Sequence, residues 1–80
     1  MTINLVKAID LALENQWDAA HGIVQKYDND LAAAWIHAVL HKIEGDLDNS
    51  RYWYRRAGKL ECVDQEPIAE LSSIKAMIEG

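Results

Sequence analysis

Two histidines four residues apart, His37 and His41, with Glu44 three residues on, carry the clearest potential for chemistry in this chain. On a helix these spacings place all three side chains along one strip. Imidazoles at i and i+4 can share a divalent metal ion, and a nearby carboxylate can complete the site. His21 is a conceivable extra ligand. The order differs from the HExxH arrangement of metalloproteases, since no glutamate follows His37 directly. A structural role competes. In an antiparallel hairpin turning near Asp46, His41 comes close to Tyr52 and His37 close to Arg55 or Arg56, where half-buried imidazoles can settle into hydrogen bonds. We expect that structural role, no resident cofactor, and metal binding by His37, His41 and Glu44 as the alternative.

Other polar groups have readings of the same two kinds. Glu44, Asp46 and Asn49 flank a turn and could bind a ligand or trade protons. Capping is simpler: Asp46 accepts from backbone N–H groups of the next helix and Asn49 assists. Tyr52, Trp53 and Tyr54 are interleaved with Arg51, Arg55, Arg56 and Lys59. That mixture can stack bases or form a protein-binding hot spot. Helical projection sends Trp53 and Tyr54 inward and leaves Tyr52, Arg55 and Arg56 available. Cys62 has Glu61 and Asp64 beside it, which raise rather than lower a thiol pKa, so it is not read as a nucleophile.

The elements that must position these groups are helices. Leu5, Val6, Ile9, Ala12 and Leu13 stripe a first helix over 3–14, with Thr2 as its cap. After Glu14-Asn15-Gln16 a second runs from Trp17 to Tyr27, with Ala20, Ile23, Val24 and Tyr27 inward. Gly22 inside it costs about 1 kcal/mol against alanine and would be explained by close helix approach. Asp28-Asn29-Asp30 ends that helix and caps a third over 31–44. There Leu31, Ala32, Trp35, Ile36, Val39, Leu40 and Ile43 form the apolar arc, Ala33, Ala34 and Ala38 invite a close neighbour, and Gly45 stops the helix. A fourth helix over 47–57 is capped by Asp46 or Asp48, lined inward by Leu47, Ser50, Trp53, Tyr54 and Ala57, and ended by Gly58. A polar connection, 59–66, leads to a fifth helix opened by Pro67, with Asp64 or Gln65 just ahead and Ile68, Leu71, Ile74 and Ile78 on its apolar face.

Shifted by thirty residues, the halves correspond. Ala8 meets Ala38, Glu14 meets Glu44 and Asp18 meets Asp48. Leu5, Val6, Ile9 and Leu13 meet Trp35, Ile36, Val39 and Ile43; Ala20, Ile23 and Val24 meet Ser50, Trp53 and Tyr54. Each unit reads as helix, turn, helix with small residues where the pair approaches, which resembles the tetratricopeptide pattern in slightly shorter form. Residues 35–58, WIHAVLHKIEGDLDNSRYWYRRAG, also resemble a run in short bacterial proteins of unassigned function. The shared elements are Trp35 to Ala38, Leu40-His41, Glu44 to Asp46, Asn49, Tyr52 to Tyr54 and Arg56 to Gly58. That resemblance implies helical hairpins and brings no catalytic residues.

The chain has 80 residues, a net charge of −5 and one cysteine. It makes one domain, an unfavourable partner for nucleic acid or anionic membrane, and no intrachain disulfide. The opening MTINLVKAIDLALE lacks a signal-peptide pattern and no apolar run suits a bilayer span, so a reducing cytoplasm is expected. The prediction is an all-α fold of five helices over 1–80: two TPR-like antiparallel hairpins, about 3–27 and about 31–57, and a C-terminal capping helix, about 66–79. Such a fold, with leftover surface side chains, suits a non-enzymatic protein–protein interaction module. Its partner would be a protein or peptide, a second copy in a homodimer included, contacted by His37, His41, Glu44, Asn49, Tyr52, Arg55 and Arg56. The alternative is a small-ligand or metal-binding protein, enzymatic in one version, centred on the His/His/Glu strip.

Overall fold

The computed structural model describes residues 2–80. Among the described residues the fold is all-helical, with five α-helices in the order expected: α1 (Thr2–Leu13), α2 (Trp17–Val24), α3 (Leu31–Glu44), α4 (Leu47–Ala57) and α5 (Pro67–Glu79). Two short 3₁₀ turns, Gln25–Tyr27 and Leu60–Cys62, follow α2 and α4. No described helix is long and apolar enough to cross a membrane.

Helix ends follow the local chemistry. Asp30 caps α3 by accepting from the Ala33 N–H at 2.9 Å, and Asp46 caps α4 by accepting from that of Asn49 at 3.3 Å. Glu66 caps α5, its side chain accepting from the backbone N–H groups of Ile68 and Ala69. It directly precedes Pro67, whose missing N–H costs nothing in the first turn. Thr2, expected as a cap, lies within the first turn of α1. Helices α1, α3 and α4 end in the same paired hydrogen bonds. Asn15, Gly45 and Gly58 take positive φ angles of 65°, 90° and 70° and bond back three residues, while the residue after each bonds back five. Asn15 and Gly45 are thirty residues apart.

Helix α3 is the centre of the molecule. It packs most extensively on α4, and also on α5, α2 and α1. Every residue from Ala33 to His41 is buried. A helix apolar around most of its circumference has no solvent face to offer. Small residues let α4 come close: Ser50 Oγ donates to the Ala38 carbonyl at 2.7 Å. Several expected core positions lie outside instead. Leu31, Ile43, Leu47 and Ile68 are exposed, because they sit at helix ends, beyond the reach of the neighbouring helix.

The last helix is held by a buried carboxylate that the apolar stripe of α5 did not reveal. Glu70 is 1% exposed. It accepts from Trp35 Nε1 at 2.9 Å, from the Tyr54 hydroxyl at 2.8 Å and from Lys42 Nζ at 2.7 Å. Lys42 also donates to the carbonyls of Cys62, Val63 and Gln65. The 59–66 connection is therefore tied inward rather than loose, with Cys62 buried. Burial, then the carboxylates of Glu61 and Glu70, push the Cys62 thiol up in pKa. Burial and the Glu70 bond likewise push the Tyr54 hydroxyl up.

Two stability measurements check this account. Glu70→Ala leaves Lys42, Trp35 and Tyr54 without their acceptor, and should cost about 3–5 kcal/mol in urea unfolding; a loss under about 1 kcal/mol would mean the carboxylate does not hold α5. Gly22 is not a close-approach glycine, since nothing lies within 4 Å of where its Cβ would be. Gly22→Ala should therefore raise stability by about 0.5–1 kcal/mol.

Candidate functional site

The residues singled out in the sequence separate into a buried group and an exposed one. His37 and His41, from adjacent turns of α3, are 5% and 6% exposed. They share one strip of α3, as their spacing predicts, and α2 and α4 cover it. They do not meet Tyr52, Arg55 or Arg56. Instead His37 stacks on Trp53 of α4, with centroids 3.9 Å apart and planes 14° apart, and His41 Nδ1 donates to Glu44 Oε1 at 2.7 Å.

His21 completes the group. Helix α2 folds back onto α3 through the Gln25–Tyr27 turn, and Trp17 pins it there by donating from Nε1 to the Leu40 carbonyl at 2.6 Å. One helical turn on, His21 lies with Nε2 3.1 Å from Nε2 of His37. Trp17 stacks on His21 at 4.7 Å and 11°. The three imidazole centroids are 4.8 to 5.3 Å apart, and one ring nitrogen from each lies within 4.8 Å of the others. Sequence spacing alone reaches only His37 and His41. The signal for His21 is its place four residues after Trp17, on the side of α2 that faces α3.

The protonation pattern follows from these contacts. A carboxylate oxygen accepts here, so in the neutral form of His41 the proton is on Nδ1 and the lone pair on Nε2. Between His21 and His37 one Nε2 must donate and the other accept. The remaining His37 nitrogen, Nδ1, is buried without a partner. Burial, then the neighbouring His21 and His41, push His37 down to a pKa of about 3. Burial and His41 push His21 down, partly opposed by Glu44, Asp18 and Asp28. His37 is therefore neutral at pH 7, with a lone pair to offer.

Glu44 is exposed, as are Tyr52, Arg55 and Arg56, whereas Asn49 is half-buried beside the cap. Asn49 contributes its backbone N–H to that cap. On the outer side of α4, Arg56 Nη1 donates to the Tyr52 hydroxyl at 3.2 Å and Nη2 to the Asp28 carbonyl at 3.4 Å. Its guanidinium lies 5.1 Å from the Trp53 ring centre and 5.9 Å from that of Tyr52. Among the described residues no carboxylate forms an ion pair with Arg51, Arg55 or Arg56. A scan of protein-family models and searches of curated proteins and of solved structures return no match.

The depressed His37 pKa gives a pH test on protein kept metal-free with chelator. The unfolded imidazole takes a proton near pH 6.5 and the folded one does not until about pH 3. The unfolded state thus binds more protons in that window, and stability must rise with pH. Urea midpoints should fall between about pH 7 and about pH 5, and His37→Gln should flatten that fall. An unchanged slope in the variant would show that His37 protonates in place without penalty.

Proposed function

We propose that this chain is a non-enzymatic interaction module built from a repeated, TPR-like helical hairpin, and that the outer strip of α4 binds an acidic segment of a partner protein or peptide. The carrying observation is the ordered Tyr52–Trp53–Arg56 cluster inside an unpaired basic strip. Residues 51–59 hold half of the chain's eight Lys and Arg and no acid, in a protein whose net charge is −5. Tyr52 is 46% exposed. Arg56 is already held in place from two sides, so little side-chain entropy remains to be lost on binding. Exposed tyrosine and arginine beside a half-buried tryptophan make the composition on which binding energy concentrates.

The repeat reading draws on positions thirty residues apart. Ala8 and Ala38, Ile9 and Val39, Ala20 and Ser50, and Val24 and Tyr54 are all buried. The turns at Asn15 and Gly45 carry the same hydrogen bonds. In a stacked array each hairpin leaves outward faces for recognition.

The acidic partner segment follows from charge complementarity. A long polyanion such as nucleic acid would run off the strip onto the acidic remainder of the surface, whereas a short acidic segment would not. The chain's own acidic surface can supply such a segment, which makes a homodimer one route to the same contact.

A glutamate-rich peptide labelled with a fluorophore should bind with salt-dependent affinity. Tyr52→Ala with Arg56→Ala should weaken it by at least about 30-fold, the loss expected of a hot-spot pair. Sedimentation across a concentration series tells self-association from partner binding. A double variant that binds the peptide as the parent does, and self-associates as the parent does, would remove α4 as the contact face.

A further inference from the structure

We propose that His21, His37 and His41 form a three-imidazole site for a divalent transition-metal ion of the zinc, copper and nickel class, independent of the α4 face. Each ring gives one nitrogen, and Glu44 acts as the outer acceptor that fixes His41.

The spacing suits the ion. Four-coordinate zinc with bonds of about 2.0–2.1 Å places neighbouring ligand nitrogens about 3.3 Å apart. His21 Nε2 and His37 Nε2 are already 3.1 Å apart. The third nitrogen lies within 4.8 Å of both, a gap that small imidazole rotations close. Three ligands on two helices, two of them one turn apart on α3, leave a fourth position for water.

The chemistry of the donors agrees. An imidazole ligand must be unprotonated, and the bond to Glu44 selects the neutral His41 tautomer with its proton on Nδ1 and its lone pair on Nε2. A ligand imidazole held by a carboxylate through its other nitrogen is the usual outer arrangement at metal sites. Trp17 and Trp53 clamp two of the rings from opposite sides, which limits their freedom before an ion arrives. Neutral nitrogen donors favour zinc, copper, nickel and cobalt over magnesium and calcium. The second trio, buried His41 with exposed Glu44 and Asp46, carries two surface acids, and His41 cannot give Nδ1 to an ion there while bonding Glu44.

The test uses the whole chain, purified without a metal-affinity column and stripped with chelator. Zinc, nickel and cobalt are titrated by calorimetry, native mass spectrometry gives the stoichiometry, and visible absorption of the cobalt form reports its coordination. We expect one ion per chain, four-coordinate cobalt bands and no response to magnesium. His21→Gln is the key variant, because His21 is only half-buried and its loss spares the α3 core; circular dichroism checks that it stays folded. It should weaken binding at least 100-fold, and Glu44→Gln should weaken it about 10–100-fold. Three results would overturn the site: no saturable binding of any of these ions, His21→Gln binding as the parent does, or loss confined to the Glu44 and Asp46 variants.

Discussion

A helix enclosed on every side must settle its own polar groups inside the protein. Helix α3 has neighbours all round, yet it carries His37 and His41 in its middle and Lys42 and Trp35 on its flanks. The rest of the fold follows from how those groups are met. Lys42 and Trp35 are answered by Glu70 from α5, together with carbonyls of the connection before it. His41 is answered by Glu44 on its own helix. His37 is covered by Trp53 and bonded by His21, but through one nitrogen only. The buried polar groups on the side of α3 facing α5 thus all have partners, whereas His37 Nδ1 has none among the described residues.

This division separates the parts of the molecule that hold it together from those free to act. A buried carboxylate serving an ammonium, an indole and a phenol is expensive to disturb, because each partner would be stranded at low dielectric. By contrast, the Asp10–Lys75 pair between α1 and α5, at 2.8 Å but partly exposed, contributes little. The imidazole cluster holds α2 to α3 through edge-to-face ring contacts and one shared proton, a looser attachment than the Glu70 bonds.

Much of the architecture was legible from residue types. Asp30, Gly45, Gly58 and Pro67 mark helix boundaries through chemistry that acts within a few residues, so α3 and α4 fall where the sequence puts them. Longer-range facts were not legible. His21 joins His37 only because a 3₁₀ turn aims α2 across α3, and no local signal states that crossing. Glu70 gives no signal of its own, because a glutamate on an amphipathic helix is normally surface. Its clue lay elsewhere, in the buried polar ends of Trp35, Tyr54 and Lys42, which all need an acceptor. Expecting Leu31, Ile43, Leu47 and Ile68 inside overlooked that a stripe has ends, where the covering helix has already stopped. The exposed state of Tyr52, Arg55 and Arg56 was readable from projection alone.

The three tryptophans stand in three different company. Trp17 lies against His21, Trp53 against His37, and Trp35 beneath Lys59 with its N–H on Glu70. Indole emission is sensitive to an adjoining imidazolium and to the field of a nearby charge. The chain therefore carries its own optical labels: two indoles lit or dimmed by the state of the histidines, and a third that changes only when the last helix lifts away.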